Sequence, residues 1–165
     1  MPRQRAGKYE VSLRLPLDGL YAEEEMQIEF RVARFDVARA SSTERSLVKV
    51  QGVEVELKAA AGELPARKTT GVEFILRDAP TGKAITDLKP YLGAMGHLIL
   101  IHQDGITLVH SHPDERQPDV GHNGAIPFLV RFPKPGIYRG WSQFQRNGSI
   151  LTSDFIVEAS EGSGQ

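Results

Sequence analysis

The sequence predicts an all-β protein with an immunoglobulin-like antiparallel β-sandwich of about seven to nine strands. Short runs of alternating or β-branched apolar residues recur along the chain between Gly, Pro, Asn and Asp, as in antiparallel strands joined by turns. The dipeptides Asp104-Gly105 and Asn147-Gly148 are typical of tight hairpins. The pattern indicates no helix of ordinary length and no internal repeat.

Nine segments carry the strand pattern: residues 8–15, 26–35, 47–57, 72–77, 97–103, 106–112, 126–132, 136–146 and 149–158. In the third of these, the apolar residues change parity at Gly52, so we expect a β-bulge there that restores one apolar face. Residues 85–96 are expected to form a connection with a short helical turn, which Pro90 limits.

The last predicted hairpin separates a core face from a mixed face. If Arg146 lies opposite Ser149, Tyr138 points to the core and Trp141 to the mixed face. Tyr138 follows a Pro-Gly pair, as in the tyrosine corner of immunoglobulin-like sandwiches, which indicates a structural role. Trp141 either packs under a loop or belongs to a recognition patch.

The length of 165 residues is typical of one domain, which we expect to span residues 1–158. Residues 37–70 contain two loop-like stretches and are predicted to be an excursion from one sheet. That excursion is a surface elaboration or, alternatively, a lid or a partner-binding segment. The polar, glycine-rich residues 159–165 are expected to form a flexible tail.

The composition excludes several classes of function. The chain has no cysteine, which rules out disulfides, thiolate metal sites and cysteine nucleophiles. Its formal net charge is −1, from 20 basic and 21 acidic residues, which gives no field for attracting nucleic acid. No apolar run is long enough to insert in a membrane, and the first residues do not form a secretory signal.

All five histidines lie between residues 97 and 122. Imidazole is the commonest side-chain ligand of zinc and copper. If Asp104-Gly105 is a two-residue turn, His97 faces His112 across the hairpin, and His110 lies two residues along the same strand. These three rings then share one face, close enough to bind one metal ion, whereas His102 falls on the opposite face.

Two further residues are candidate ligands of the same metal ion. Met95 would add a soft thioether if the metal were copper(I). His122 lies in a loop long enough to fold back over the hairpin and supply a fourth nitrogen. A three-residue loop at Gly105 would instead shift the register and separate His97 from the other two rings.

Two alternatives remain open for the cluster itself. The histidines are either purely structural, each hydrogen-bonded locally, or take part in acid–base chemistry with nearby carboxylates. The enzymatic alternative is a small metal-dependent hydrolase. It is less favoured than a binding module, because no serine elbow, phosphate loop or HExxH motif occurs. The non-enzymatic alternative is an interaction module that uses edge strands, Trp141 and the 37–70 segment.

Four segments carry a resemblance to a known family: Asp87-Leu-Lys-Pro-Tyr-Leu-Gly-Ala-Met-Gly-His97, Val109-His-Ser-His-Pro113, Phe132-Pro-Lys-Pro-Gly-Ile-Tyr138 and Trp141-Ser-Gln-Phe-Gln145. With them the chain resembles bacterial extracytoplasmic immunoglobulin-like domains of the YtkA-like group, which occur with heavy-metal and copper-handling proteins. The resemblance implies a periplasmic or secreted β-sandwich with His97, His110 and His112 as candidate ligands. We therefore expect a non-enzymatic module that binds copper first and zinc second, for storage, delivery or sensing. A protein is the second candidate partner, beside the metal ion.

Overall fold

The computed structural model describes residues 8–14, 25–31, 47–114, 120–121 and 123–162. These residues form eleven strands and contain no helix, which confirms the predicted all-β class. The chain divides into two compact units, Met1–Ala38 and Arg39–Gln165.

The first unit contains an antiparallel hairpin of two strands, β1 (Lys8–Arg14) and β2 (Glu25–Arg31). Their ladder runs without interruption from the pair Lys8 and Arg31 to the pair Arg14 and Glu25. Both strands were predicted, although the ends at residues 15 and 32–35 lie outside the described residues.

The second unit contains two antiparallel sheets with nine strands among its described residues, as expected for an immunoglobulin-like sandwich. The first sheet has the order β3-β4-β5-β9, with strands Leu47–Val50, Val53–Ala59, Thr69–Asp78 and Ala125–Arg131. The second has the order β11-β10-β7-β8, with strands Ser149–Ala159, Gly136–Arg146, His97–His102 and Leu108–Ser111. The short strand β6 (Leu88–Lys89) also pairs with β10.

Aromatic side chains join the two sheets in the core. The ring of Phe74 in β5 meets Phe144 of β10 edge to face at 5.6 Å and Phe155 of β11 at 5.5 Å. Phe128 of β9 lies 5.3 Å from Phe74. Edge-to-face contacts of this kind stabilise a core beyond the burial of the rings alone.

The last hairpin follows the prediction. Its turn at Asn147 and Gly148 has φ angles of 50° and 76°, and Arg146 pairs with Ser149. Tyr138 lies on the core face as expected, and the residues that share this face are buried: Gly140, Ser142, Phe144, Leu151, Ser153, Phe155 and Val157. The two buried serines satisfy each other, with 2.6 Å between their hydroxyl oxygens.

Tyr138 forms the predicted tyrosine corner. Its side chain is fully buried, and its hydroxyl donates a hydrogen bond of 2.8 Å to the carbonyl of Lys134, four residues upstream. Its ring packs edge to face on Phe132 at 5.0 Å. The corner therefore fixes the start of β10 against the end of β9.

The expected bulge at Gly52 is wrong, because the chain makes a hairpin there. Gln51 and Gly52 have φ angles of 49° and 78°, and Val50 pairs with Val53. A two-residue turn with two positive φ angles reverses the strand. The change of parity at Gly52 thus reflects two strands with their apolar residues on one face.

The described part of the segment 37–70 is not an excursion. From residue 47 onward it supplies β3, β4 and the start of β5, so it belongs to the first sheet. Strand β4 buries three side chains in the core: Val53, Val55 and Leu57. Residues 37–46 lie outside the described residues, and the single domain spanning 1–158 stays a prediction.

The connection 85–96 contains no helical turn, in contrast to the prediction. Leu88 is buried in the core and is the first residue of β6, and the chain then reverses between Tyr91 and Ala94. Leu92 and Gly93 have φ angles of 48° and 79°, which suit a tight hairpin turn and not a helix.

The chain remains part of the sandwich for at least two residues beyond Glu158. Ala159 is the last residue of β11 and is buried, and Ser160 exchanges backbone hydrogen bonds with the segment at Leu64 and Ala66. The predicted flexible tail 159–165 is therefore wrong for its first two residues. Residues 163–165 lie outside the described part.

Gly140 allows the close packing of the core to be tested. A Cβ at this position would lie 2.4 Å from Phe155 and 2.8 Å from Leu100, so both side chains would have to move. We expect Gly140→Ala to lower the free energy of unfolding by about 1–3 kcal/mol, the usual effect of overfilling a core. Urea denaturation followed by circular dichroism measures it.

Gly71→Ala is the matched control, because Gly71 also lies within a strand and its Cβ would meet only Ala60, at 3.3 Å. We expect a change within about 0.5 kcal/mol there. Equal losses in both variants would contradict the close approach at Gly140.

Candidate metal centre

The hairpin of β7 and β8 has the predicted register. Leu98 pairs with Ser111, and Ile99 pairs with His110. The loop is wider than the predicted two residues, because the amide of His102 donates to the carbonyl of Thr107 at 2.9 Å. Residues 103–106 therefore form a four-residue loop, which adds one residue to each side and leaves the register unchanged.

The carboxylate of Asp104 holds this loop together. It accepts hydrogen bonds from the amides of Ile106 and Thr107, at 3.0 and 2.9 Å, and it pairs with the ammonium group of Lys134. Burial acts to raise the pKa of Asp104, but the bonds from Lys134 and the loop outweigh it and hold the pKa well below its usual range. An aspartate turn thus fixes the pairing of the two strands.

The three histidines of the hairpin converge as the register predicts. One ring nitrogen of each of His97, His110 and His112 lies within 4.8 Å of one ring nitrogen of the other two. The ring of His112 lies 4.8 Å from that of His97 and 4.6 Å from that of His110, near perpendicular to both. The rings of His97 and His110 are parallel, with centroids 6.2 Å apart.

The cluster lies on the outer face of the second sheet and opens to solvent on one side. His97 is 1% exposed, His110 is partly exposed and His112 is exposed. Ile99, which lies two residues from His97 on the same face of β7 and pairs with His110, is also buried. The site therefore has a buried inner side and an accessible rim.

The carbonyl of Tyr91 sets the proton position of His97. The distance from this oxygen to Nε2 of His97 is 2.7 Å, and since a carbonyl only accepts, Nε2 carries the proton. Nδ1 then bears the lone pair. Nδ1 is buried and has no hydrogen-bond partner among the residues that the structure describes. A carbonyl that fixes a histidine in this way is typical of metal-ligating imidazoles.

The tight turn at residues 91–94 positions that carbonyl. Tyr91 and Ala94 exchange two backbone hydrogen bonds, of 2.8 and 3.2 Å. Gly96, just before His97, lies directly on the Phe144 ring, where a Cβ would approach to 2.6 Å. The turn and this close approach together anchor the start of β7.

His110 is also held neutral. Its Nε2 is buried and lacks a partner in the described part of the chain. Burial, and then the neighbouring His112 and His97, lower the pKa of His110 to about 4. Burial lowers the pKa of His97 as well, although the Tyr91 hydrogen bond partly opposes it. Neutral imidazoles keep a lone pair for a metal at physiological pH.

The spacing of the rings suits one ion after a small adjustment. With metal–nitrogen bonds of about 2.0–2.1 Å, two ligands in a tetrahedral site lie roughly 3.3 Å apart. The separation of up to 4.8 Å requires side-chain rotations that move the nitrogens by about an ångström. Three nitrogen ligands would leave one position of a tetrahedral site for a further donor.

His102 lies outside the cluster, on the other face, as predicted. It is buried, and both of its nitrogens have partners. Nε2 is 3.2 Å from the carbonyl of Pro135, and Nδ1 accepts the amide of Asp104 at 3.2 Å. Its ring packs on Tyr138 at 4.9 Å. His102 is thus a structural histidine.

The other two predicted ligands stay predictions. Met95 is partly buried and packs against the core, with its methyl carbon 3.3 Å from where a Cβ on Gly121 would lie. Its side chain therefore lies beside Gly121. His122 itself lies outside the described residues.

Two residues of the site were not predicted from the sequence. The carbonyl of Tyr91 was missed, although the Leu92-Gly93 pair was a turn signal that could have revealed it. Gln143 lies two residues from Trp141 on the same face of β10, but its position opposite His97 depends on the pairing of β10 with β7. No local pattern gives that pairing.

The protonation of His110 can be measured directly in metal-free protein. We expect its imidazole to titrate near pH 4 in the folded state, against an ordinary value of 6.5. Between these values only the unfolded chain takes up this proton, so the contribution of His110 to stability falls as the pH falls through this window. Long-range ¹H–¹⁵N NMR spectra across the pH range report the midpoint. A midpoint near 6.5 would show that the ring is solvated.

No curated protein matches this chain. The structure is similar to the soluble domain of PmoD from Methylocystis sp. ATCC 49242 (Rockwell), with 15% identity and a TM-score of 0.46, over 71% of this chain and 98% of that one. It is also similar to the PKD domain of the human VPS10 domain-containing receptor SorCS2, with 14% identity and a TM-score of 0.33, over 94% and 99% of the two chains.

No helix in the described part of the chain is long and apolar enough to cross a membrane. The relation to the YtkA-like group stays a prediction. The family model that matches is described as a domain of unknown function (DUF8832), and it covers residues 48–161. The chain belongs to this DUF8832 family.

Proposed function

We propose that this protein binds one transition-metal ion through His97, His110 and His112. One observation carries the proposal. One ring nitrogen from each of the three imidazoles lies within 4.8 Å of the others. In the rings of His97 and His110, a buried nitrogen has no hydrogen-bond partner among the described residues. Buried polar atoms are nearly always paired in folded proteins, so such atoms at one place call for an explanation.

His102 in the same hairpin provides an internal comparison. It is also buried, at 7% exposed against 1% for His97, yet both of its nitrogens are hydrogen-bonded. The fold can therefore provide hydrogen-bond partners for a buried histidine. Leaving Nδ1 of His97 and Nε2 of His110 without partners costs free energy in the metal-free state, and a bound cation would recover it.

The ligand set favours copper first and zinc second. Imidazole suits both ions, and copper(II) binds a given nitrogen site more tightly than zinc does. The exposed side at His112 would allow the ion to exchange, as storage, delivery or sensing requires. The periplasmic or secreted location implied by the resemblance to copper-handling domains agrees with this role.

Metal binding can be tested by titrating metal-free protein with copper(II) and zinc in a calorimeter. We expect saturable 1:1 binding with a dissociation constant below about 10 μM, that is, a binding free energy beyond about −7 kcal/mol. Replacing His97, His110 or His112 singly by alanine should weaken the affinity by at least about tenfold, because each change removes one ligand.

His102→Ala is the matched control. We expect it to keep the metal affinity but to lower the free energy of unfolding by about 1–3 kcal/mol, since it removes two buried hydrogen bonds. We expect His112→Ala to weaken metal binding but to leave the free energy of unfolding nearly unchanged, because His112 is exposed. Absence of saturable binding would refute the metal site and leave an interaction module with incidental histidines. Equal loss of affinity in His102→Ala would also contradict the assignment.

A further inference from the structure

We propose that the side-chain oxygen of Gln143 is a fourth donor at this site and makes it prefer copper(II) or zinc over copper(I). This inference rests on the proposed function and adds a ligand that determines specificity.

Gln143 lies directly beside the histidine cluster. It is the register partner of His97 between β10 and β7, so the two side chains are cross-strand neighbours on the outer face of the second sheet. Strand β10 alternates buried core positions with these outer positions, and Ser142 and Phe144 on either side of Gln143 are fully buried. Gln143 therefore cannot turn toward the core.

One end of the carboxamide is engaged and the other is not. Nε2 of Gln143 donates to the hydroxyl of Thr152 on β11 at 3.3 Å. Oε1 is buried and finds no hydrogen-bond partner among the described residues. Three buried side-chain atoms share this condition in the described part of the chain: Nδ1 of His97, Nε2 of His110 and Oε1 of Gln143.

No hydrogen bond joins any two of these atoms in the described part of the chain. The proton of His97 is on Nε2 and points to Tyr91, so Nδ1 is an acceptor, as the amide oxygen is. Acceptors gathered beside each other repel in a dry environment. A metal cation accepts electron pairs from imidazole nitrogen and from amide oxygen. One bound cation could therefore be a partner for all three unpaired atoms.

The chemistry of the donor sets the selectivity. An amide oxygen is a hard ligand, which suits copper(II) and zinc and contributes little to copper(I), which prefers soft sulfur and imidazole. The three histidines serve both oxidation states of copper. Gln143 would therefore strengthen the binding of the divalent ions selectively.

The test compares Gln143→Leu with Gln145→Leu. Gln145 has the same side chain on the same face of β10, two residues away, and pairs with Lys89 and Ile150 rather than with a histidine. Zinc and copper(II) affinities are measured by calorimetry at pH 7, and copper(I) affinity by anaerobic competition with a chromophoric chelator. We expect Gln143→Leu to weaken zinc and copper(II) binding about tenfold or more, and copper(I) binding less than about threefold. Gln145→Leu should change none of them by more than about threefold.

Stability separates this role from a structural one. If Gln143 served only to stabilise the fold through its hydrogen bond to Thr152, Gln143→Leu would lower the melting temperature of metal-free protein. We expect that temperature to stay the same or rise, because a buried acceptor without a donor is removed. If the leucine variant fails to fold, Gln143→Glu keeps an oxygen at the same place and should bind zinc at least as tightly as the unaltered protein.

The outcomes are distinct. Unaltered protein that binds none of the three ions overturns the proposed function and this inference with it. Binding by the unaltered protein, with Gln143→Leu equal to Gln145→Leu, overturns the inference alone. Two further results would also overturn the inference alone. One is an equal loss of copper(I) and copper(II) affinity in Gln143→Leu, and the other is a loss of zinc binding in Gln143→Glu.

Discussion

The site depends on the register of the hairpin between β7 and β8. The pairs Leu98 with Ser111 and Ile99 with His110 place His97, His110 and His112 on one face. A slip of one residue would turn the rings of one strand to the other face and destroy the cluster. The carboxylate of Asp104 prevents the slip by accepting two loop amides and pairing with Lys134. Loop geometry at one end of the hairpin thus determines ligand geometry at the other.

The two faces of the second sheet have different functions. The inner face satisfies its polar groups, with the hydroxyl pair of Ser142 and Ser153 and the tyrosine corner of Tyr138, and supplies the stability of the sandwich. The outer face gathers acceptors that lack donors around His97 and Gln143. A sheet whose inner-face polar groups are paired among the described residues can hold such an arrangement, because β7, the strand that contains His97, pairs with β10 on one side and with β8 on the other.

Local patterns in the sequence were sufficient for the fold class, for the face assignment of Tyr138 and Trp141, and for the convergence of the three histidines. They failed where one pattern had two structural meanings. The parity change at Gly52 fits a bulge or a hairpin, and the glycines near Leu92 fit a helix end or a tight turn. Tyr91 and Gln143 were missed because they reach the site through tertiary pairing: the Tyr91 carbonyl through a reversed connection, and Gln143 through the contact of β10 with β7.

The most direct measurement is an anomalous difference map from crystals of metal-free protein exposed to copper(II) or zinc. We expect one peak on the outer face of the second sheet, about 2.0–2.1 Å from a ring nitrogen of each of His97, His110 and His112. A map without a peak there, or with one only at surface groups elsewhere, would show that these three histidines do not form a metal site.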